Sequence, residues 1–246
     1  MTATKAGRAR LPLRVTTYNI HRCRGLDRRV RADRIARVVT SLGADITAMQ
    51  EVIGASAESA GHAAAIHEAV GGAAVLAPAR TLNEHAFGNM VLSRLPILES
   101  RQFDITWRHR EPRIVQRVLL DVHGVTIQVF NAHLGTSLPE RRAQATLLAG
   151  ILDRHHEPHV PTIVAGDFNE WLSGPVTALL RERFVPCDHP TGRRRRSYPG
   201  VLPFLHLDHL YHSEHFRLQR VALVRTRETL VASDHLPLVA DLVLQA

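Results

Sequence analysis

Runs of apolar, β-branched residues alternate along this chain with segments whose apolar residues recur at helical spacing. The runs begin at Leu13 and continue to the carboxyl end. Between them, residues 28–42 and 139–155 each place their apolar residues near one helical stripe. Both segments are predicted to be amphipathic helices that cover a sheet, and the alanine-rich residues 55–70 are a third helix candidate. The pattern predicts an α/β fold.

Two further runs predict antiparallel pairing. Residues 115–122 and 125–130 are both apolar and meet at His123-Gly124, which is the pattern of a β-hairpin. The sheet is therefore expected to contain antiparallel pairs. Residues 186–203 hold four prolines, two glycines and a run of arginines, and they are predicted to form a loop.

The length of 246 residues and the hydrophobic content of 45% are enough for one substantial core. We expect a flexible basic amino terminus over residues 1–12 and one domain over residues 13–246. No apolar run approaches the roughly 20 residues of a membrane-spanning helix, and no signal-peptide hydrophobic region follows the basic start. The expectation is a soluble cytoplasmic protein. Cys23 and Cys187 form no CxxC pair, so neither a disulfide framework nor a cysteine zinc site is indicated.

The formal charge of +8 and the pI near 10.8 suit a polyanionic or phosphate-bearing partner, because clustered cations attract such ligands at long range. Lys5 is the only lysine, which also fits a general bias toward arginine. The run from Arg193 to Arg196 has two interpretations. It either grips remote phosphates of a substrate or is a solvated run of charge.

Polar side chains follow the ends of the apolar runs. The runs predicted to be strands here are 15–18, 45–50, 125–130, 162–165, 205–207 and 230–232. The polar residues after them are Asn19, Glu51, Asn131 with His133, Asp167 with Asn169, Asp208, and Asp234 with His235. Strand ends of a sheet lie near each other, so these side chains can converge on one site. Oxygen donors without cysteine suit Mg²⁺ or Mn²⁺, and phosphate esters are usual substrates for those ions.

Each of these residues also has an ordinary structural role. Asp and Asn are common at turns because their side chains bond local backbone. Glu51 fits a helix cap, and His133 fits a buried histidine with satisfied hydrogen bonds. The joint occurrence of all of them is what indicates a functional site.

The residues also match a known family. In order along the chain stand Tyr18-Asn19-Ile20-His21, Met49-Gln50-Glu51-Val52, Asn131-Ala132-His133-Leu134, Gly166-Asp167-Phe168-Asn169, Leu207-Asp208-His209 and Ser233-Asp234-His235-Leu236-Pro237-Leu238. With these motifs the sequence resembles the endonuclease/exonuclease/phosphatase superfamily over about residues 13–244. The resemblance implies a four-layer sandwich, in which two mostly antiparallel β-sheets pack face to face with helices outside.

The resemblance implies a magnesium-dependent phosphoesterase, with Mn²⁺ as an alternative ion. Its metal ligands are expected to be Glu51, Asn19 and Asp234. Asn19 is also a candidate for substrate binding. Asn89 follows Gly88 as in the family pattern and is expected to line the pocket. Arg117 is a further candidate for binding the substrate.

The remaining motif residues are expected to perform the catalysis. Asp167, with Asn169 beside it, is predicted to position and deprotonate the attacking water. His133 is expected either to hydrogen-bond the phosphate or to assist the leaving group. His235 is expected to contact a phosphoryl oxygen while Asp208 orients it. The group that donates a proton to the leaving oxygen stays open.

A zinc site is a weaker alternative. His206, His209, His212 and His215 fall at every third residue, which on a helix would suggest zinc ligands. The alternation of the apolar residues around them is that of a strand, which would place the histidines on both faces.

Departures from the family pattern narrow the choice of relatives. Abasic-site endonucleases usually carry Trp-Asn in the first motif, where this chain has Tyr18-Asn19. Inositol-polyphosphate 5-phosphatases typically carry a Pro-Ala-Trp-Cys-Asp-Arg stretch, where this chain has Leu-His-Leu-Asp-His-Leu over residues 205–210. The chain is similar instead to a compact bacterial branch, to sphingomyelinases and to deoxyribonuclease-I-like enzymes. The expected substrate is a phosphodiester in nucleic acid or a lipid head group. A phosphomonoesterase and a non-catalytic phosphate-binding module on the same fold are the alternatives, and no protein partner is indicated.

Overall fold

Two six-stranded β-sheets are present in the part of the chain that the computed structural model describes, residues 10–187 and 195–245. In chain order the strands are β1 (Arg10–Asn19), β2 (Ile46–Ile53), β3 (Ala73–Leu82), β4 (His85–Ser93), β5 (Ile97–Asp104), β6 (Ile114–Val122), β7 (Val125–His133), β8 (Thr162–Asp167), β9 (Val185–Pro186), β10 (Asp208–His212), β11 (Phe216–Leu223) and β12 (Leu238–Gln245). The first sheet has the order β11-β12-β1-β2-β4-β3, and the second has the order β5-β6-β7-β8-β10-β9.

Each sheet contains one parallel pair among antiparallel ones. The parallel pairs are β1 with β2 and β7 with β8. A parallel pair needs a crossover connection, and a helix supplies it in both cases. The helices are α1 (Ala32–Leu42), α2 (Gly61–Val70), α3 (Leu138–His155), α4 (Pro175–Arg181) and α5 (Arg227–Ala232). The α1 helix joins β1 to β2, and α3 joins β7 to β8.

Three apolar clusters separate the layers. The central cluster lies between the sheets and includes Val15, Val129 and Ala240. A second cluster packs the outer face of the second sheet against α3, and a third packs the outer face of the first sheet against α1. Strands buried on both faces read as nearly continuous apolar runs, which is why the runs were visible in the sequence. The four-layer sandwich expected from the sequence is confirmed.

Most of the predicted elements are present. The amphipathic segments contain α1 and α3, and the hairpin at His123-Gly124 joins β6 to β7 in antiparallel register. The alanine-rich candidate is helical only over Gly61–Val70. Of the arginine run, Arg193 and Arg194 lie outside the described residues. None of the described helices has the length and apolar character needed to cross a membrane.

Two of the predicted strands are wrong. Residues 205–207 precede a strand instead of forming one, because β10 begins at Asp208. Residues 230–232 form the last turn of helix α5, not a strand. The helix is favoured locally by its capping box, in which Thr226 and Thr229 exchange side-chain and backbone hydrogen bonds. Three apolar residues carry too little periodicity to distinguish the two structures.

Candidate active site

One edge of the sandwich collects most of the polar residues singled out in the sequence. The four strands of the two parallel pairs all run toward this edge. Each pair is parallel, and the last residues of β1 and β8, Asn19 and Asp167, are hydrogen-bonded to each other. Asn19 and His133 are the last residues of their strands, and Asp167 ends β8. Glu51 lies near the end of β2. Rigid paired strands therefore hold these side chains.

Asp208 and His235 reach the same edge by another route. Because β10 runs antiparallel to β8, its first residue, Asp208, stands opposite Asp167, the last residue of β8. His235 lies between α5 and β12, where its backbone N–H donates to Ser233 Oγ at 3.2 Å. Ser233 Oγ in turn donates to the carbonyl oxygen of Asn19 at 2.8 Å. The segment that carries His235 is thus tied to the end of β1.

Asp167 is at the centre of the cluster and is 1% exposed. Its Oδ2 accepts a hydrogen bond from Asn19 Nδ2 at 2.9 Å, and its Oδ1 accepts one from the Asn169 backbone N–H at 2.9 Å. Two imidazole nitrogens face the same Oδ2, His133 Nε2 at 3.5 Å and His235 Nε2 at 3.7 Å. Burial raises the pKa of Asp167 to about 6, against the opposing effect of the His235 charge.

Asp208 and His235 form a buried ion pair. His235 Nδ1 lies 2.8 Å from Asp208 Oδ2, and both residues are at most 5% exposed. Burial alone would lower the pKa of His235, but the negative charges of Asp208 and Asp167 outweigh it and raise that pKa to about 10. The ring of Tyr198 packs against the imidazole, with centroids 4.9 Å apart. His235 is therefore an oriented cation whose Nε2 faces the site.

A β-bulge aims Glu51 at the site. The register of β2 with β4 shifts between Met49 and Val52, and Glu51 has a φ of +58°. Met49 and Val52 both pack in the cluster under α1, which strict alternation along a strand would forbid. The bulge inserts one extra residue between Met49 and Val52, and it turns the Glu51 side chain toward the edge where β1 and β8 end. A left-handed conformation at a residue with a side chain is strained and is concentrated at functional sites.

Two local features shape the turn after β8. Gly166 has a φ of +150°, and a Cβ there would lie 1.9 Å from the carbonyl oxygen of Ala132, so only glycine fits this close approach of β7 and β8. Asn169 adopts a φ of +49°, which asparagine tolerates better than most residues. Its Nδ2 donates to the Leu134 carbonyl oxygen at 2.8 Å. The turn is therefore locked against the end of β7.

The three residues expected to ligate a metal lie at the β1 side of the cluster. Asn19 Nδ2 donates to both Glu51 Oε1, at 3.3 Å, and Asp167, while Asn19 Oδ1 accepts from the His21 backbone N–H at 3.0 Å. The orientation of this amide makes Asn19 a donor between two carboxylates. Glu51 and Asp234 keep oxygens for other partners.

An arginine and a histidine face those two carboxylates. A left-handed turn, in which His21, Arg22 and Cys23 all have positive φ, follows directly after β1. It places Arg22 Nε 3.5 Å from Glu51 Oε2 and His21 Nδ1 3.2 Å from Asp234 Oδ1. Glu51 and Asp234 each keep a carboxylate oxygen near the turn after β1. Hard oxygen donors of this kind suit a divalent cation such as Mg²⁺ or Mn²⁺.

A second group of residues also has metal-ligand spacing. Asp167, Asp208 and His235 each offer one ligand atom, and these atoms lie within 4.8 Å of one another. Asp208 Oδ2 and His235 Nδ1 are already joined by their short hydrogen bond. This bond makes Asp208 and His235 a carboxylate and imidazole pair beside Asp167.

A small cleft lies beside the cluster and is lined by Glu51, Asn89, Arg113 and His133 together with Ala79, Phe87, Gly88, Pro112 and Ile114. Asn89 is among the residues that line this cleft. Its Nδ2 also donates to the Asn131 carbonyl oxygen at 3.2 Å and to that of Ile114 at 3.4 Å. Asn89 therefore ties the first sheet to the second at the floor of the cleft.

The structure does not bring Arg117 to this edge. Arg117 lies in β6 opposite Phe130, on the outer face that packs under α3. Its Nε donates to Gln128 Oε1 at 3.0 Å, and its guanidinium lies 3.9 Å from Glu99 and 4.0 Å from Glu157. The expectation that Arg117 binds substrate is corrected, because strand alternation turns position 117 away from the cleft.

The four spaced histidines do not form one zinc site. His209 stacks on Phe168, which belongs to the cluster under α3, whereas His212 packs edge-on against Phe216, which belongs to the cluster between the sheets. Two histidines on opposite faces of β10 cannot share an ion.

Comparison with known proteins agrees with the fold and with the motif order. The family model described as Endonuclease/Exonuclease/phosphatase family matches residues 16–235. The chain belongs to this family. Members of the endonuclease/exonuclease/phosphatase family are generally hydrolases that act on phosphoester bonds. The matched range contains the residues of the cluster from Asn19 to His235.

One relative by sequence and two solved structures are similar to the chain. The Escherichia coli (strain K12) protein YbhP, described as uncharacterized, is 30% identical over 93% of this chain and 95% of its own length. The crystal structure of an endonuclease/exonuclease/phosphatase from Beutenbergia cavernae DSM 12333 superposes with a TM-score of 0.75 at 23% identity, over 96% of this chain and 72% of that one. A mannosyl-6-phosphatase from Bacteroides thetaiotaomicron VPI-5482 superposes with a TM-score of 0.75 at 20% identity, over 94% and 99%.

Several contacts of this family member were not found from the sequence. The sequence did not indicate that Arg113 contacts His133 or that Tyr198 packs against His235. It also did not indicate that His21 faces Asp234 and Arg22 faces Glu51. One of these contacts had a usable signal. The hairpin pairs Val122 with Val125, and counting back along it brings Ile114 opposite His133 and Arg113 opposite the next residue, Leu134. The same count places Arg117 opposite Phe130.

Proposed function

We propose that the protein is a divalent-metal-dependent phosphodiesterase that hydrolyses its substrate by direct attack of water on phosphorus. The observation that carries the proposal is the environment of Asp167, a buried carboxylate with a pKa near neutrality that faces two imidazoles. A base with such a pKa is largely ionised at neutral pH yet still accepts a proton. Membership of a family of phosphoester hydrolases supports the same reaction.

In this proposal Asp167 acts on the water. Its Oδ2 takes one proton from the water while the water oxygen forms a bond to phosphorus. The ester bond to the leaving oxygen breaks on the opposite side, in line with the attack. Asn19 and the Asn169 backbone N–H hold the carboxylate by their hydrogen bonds at 2.9 Å, so the base is fixed before the substrate arrives.

His235 is proposed to bind the phosphoryl group as a cation. Asp208 holds one ring nitrogen at 2.8 Å, which leaves Nε2 facing Asp167 and the reacting group. A positive donor at that position stabilises negative charge that develops on the phosphoryl oxygens. Burial strengthens this effect, because few water molecules compete with it.

Glu51 and Asp234 are proposed to hold the divalent ion, with Mg²⁺ as the first choice and Mn²⁺ as the second. Their fit rests on the donor set, two partly buried carboxylates that face His21 and Arg22. When bound, such an ion polarises a phosphoryl oxygen and offsets charge in the transition state. Asn19, whose amide nitrogen faces Glu51 and Asp167, orients the carboxylates in this assignment instead of ligating the ion.

A phosphodiester in nucleic acid or a lipid head group is the proposed substrate class. The formal charge of +8 suits such polyanionic or anionic surfaces. A phosphomonoester is the second candidate. It is favoured by the similarity in fold to a mannosyl-6-phosphatase from Bacteroides thetaiotaomicron.

The proposal is tested by comparing bis-p-nitrophenyl phosphate with p-nitrophenyl phosphate. Each is incubated with Mg²⁺, with Mn²⁺ and with excess chelator. We expect hydrolysis of the diester that stops with chelator and returns when Mg²⁺ is added back. Full turnover in chelator would contradict the metal dependence, and faster release from the monoester would favour the second candidate.

A panel of natural substrates then narrows the class. It contains plasmid DNA, RNA, sphingomyelin, glycerophospholipids and nucleotide phosphates, each assayed at the same concentration of phosphoester. Hydrolysis confined to the nucleic acids or to the lipids would decide between the two diester sources.

A further inference from the structure

Arg113 is a buried arginine whose backbone is fixed on both sides. It directly precedes β6, its carbonyl oxygen accepts from the Ile105 N–H at 2.9 Å, and its own N–H donates to Thr106 Oγ1 at 3.1 Å. The residue is 8% exposed and lines the cleft beside Glu51. Its guanidinium is therefore held in one place before any substrate binds.

The guanidinium contacts two side chains. Nη1 lies 2.7 Å from His133 Nδ1, and Nη2 donates to Glu111 Oε2 at 2.8 Å. Arg80 donates to the other oxygen of Glu111 at 2.8 Å. Among the described residues the buried Nε of Arg113 has no hydrogen-bond acceptor. Arg113 thus places a fixed positive charge in the wall of the cleft, and its Nε–H keeps no hydrogen-bond acceptor among the described residues.

The contact with His133 determines which ring nitrogen carries the proton. A guanidinium can only donate hydrogen bonds, so His133 Nδ1 must be the acceptor and carries no proton. In the neutral ring the proton is then on Nε2, which lies 3.5 Å from Asp167 Oδ2. A protonated ring would turn an N–H against the guanidinium at 2.7 Å.

The two imidazoles beside Asp167 are held in opposite states. His235 has a carboxylate, Asp208, on its Nδ1, whereas His133 has a guanidinium on the same atom. Burial and the positive charges of Arg113 and His235 lower the pKa of His133 well below its ordinary value. When two neighbouring titratable groups have pKa values shifted in opposite directions, they have different roles in a reaction.

We propose that Arg113 is a positioning residue that locks His133 as a neutral Nε2–H donor, directed at a phosphoryl oxygen of the substrate. This inference rests on the proposed function for the identity of the group that receives the hydrogen bond. It also excludes His133 as the acid that protonates the leaving oxygen, because that role needs a second proton on the ring. The tautomer itself does not depend on any activity.

The tautomer is measured directly by long-range ¹H–¹⁵N correlation spectra of the full-length protein labelled with ¹⁵N-histidine. The sequence has 16 histidines, so the His133 signals are assigned by their loss in His133→Gln. We expect the pattern of a neutral ring with the proton on Nε2 between pH 6 and 8. A protonated ring, or a ring with its proton on Nδ1, would overturn the proposal. Where His133→Gln does not fold, His133→Asn is the second variant for the assignment.

Kinetics of three variants separate positioning from general structural support. In Arg113→Met we expect a mixture of His133 tautomers and a roughly 100-fold fall in kcat, with KM within about twofold, because a misplaced donor weakens the transition state. Arg113→Lys, which keeps a donor-only cation, should recover part of the rate. The matched control is Arg80→Met, which loses the same Glu111 partner without touching His133.

The outcomes distinguish the two proposals. An unchanged His133 tautomer in a folded Arg113→Met protein would overturn the role of Arg113. An equal loss of rate in Arg80→Met would assign the effect to the Glu111 network instead. A wild-type protein that shows the Nε2–H ring but hydrolyses no phosphoester would leave the tautomer established and reject the proposed function.

Discussion

Asp208 stands directly opposite Asp167 in the antiparallel ladder between β8 and β10. Two buried carboxylates in adjacent strands would repel each other, and the Asp208 charge contributes to raising the pKa of Asp167. His235 lies against both, with Nδ1 on Asp208 and Nε2 toward Asp167. One imidazolium between two carboxylates makes this arrangement stable, and it also couples the three groups in any reaction.

Asp208→Asn and His235→Ala are predicted to fail as a unit. Each substitution should lower kcat by roughly 10²-fold to 10⁴-fold. The kcat of the double variant should be little lower than that of the less active single variant. The measurement is single-turnover hydrolysis of the active phosphodiester, with circular dichroism as the folding control. Losses that multiply in the double variant would show that the two residues act separately.

The alkaline limb of the pH profile is predicted to depend on Asp208. The His235 imidazolium is needed as a donor, so the rate should fall as pH rises through its pKa of about 10. Asn at position 208 removes a charge that raises this pKa while burial still lowers it, so the limb should move to lower pH. An alkaline limb at the same pH in Asp208→Asn would contradict this assignment.

The acidic limb is predicted to report Asp167. Its pKa is raised from 3.8 to about 6, so the active carboxylate is lost as pH falls through about 6. The rate should therefore decline with decreasing pH at saturating metal, with saturation checked at each pH. A rate that stays flat down to pH 5 would exclude Asp167 as the base.

Glu51 is predicted to dominate binding of the ion. Glu51→Gln should weaken Mg²⁺ or Mn²⁺ affinity by at least about tenfold, because a charged oxygen ligand is lost. Isothermal titration calorimetry measures this without substrate. Glu228→Gln, at a half-buried carboxylate on α5 that pairs with Arg37, is the matched control and should bind the ion as the wild type does. Equal affinities in the two variants would place the ion elsewhere.

Arg117 is predicted to matter for stability and not for turnover. Arg117→Met leaves Gln128 Oε1 without its donor, which should lower the free energy of unfolding by about 1–3 kcal/mol. The variant should keep kcat and KM within about twofold of the wild type. Arg101→Met, at the exposed cross-strand neighbour, should change neither quantity. A large rise in KM for Arg117→Met would restore this residue as a substrate contact.

The sequence predicted the site because its residues follow strands whose ends meet. Asn19, His133 and Asp167 end strands of the two parallel pairs, so identifying the strands was enough to bring them together. Asp208 was found although its strand was misplaced, because the start of an antiparallel strand meets the end of its neighbour. His235 was found although the run before it, residues 230–232, ends a short helix and is not a strand.

Other features depend on tertiary contacts that have no local pattern. The bulge at Glu51 is recognised only from the register of β2 against β4. The contact of Arg113 with His133 joins a loop to a strand end, and the two residues are 20 positions apart in the chain. Arg117 was expected to bind substrate, but it lies within β6 opposite Phe130, whereas Arg113 lies just before that strand.

The most direct test of the account is hydrolysis of bis-p-nitrophenyl phosphate by wild type and by Asp167→Asn at saturating Mg²⁺. Asn preserves the size of the side chain and removes the base, so we predict a loss in kcat of at least about 10²-fold with the fold intact by circular dichroism. A folded Asp167→Asn protein that turns over the diester at the wild-type rate would contradict the assignment of this cluster as the active site.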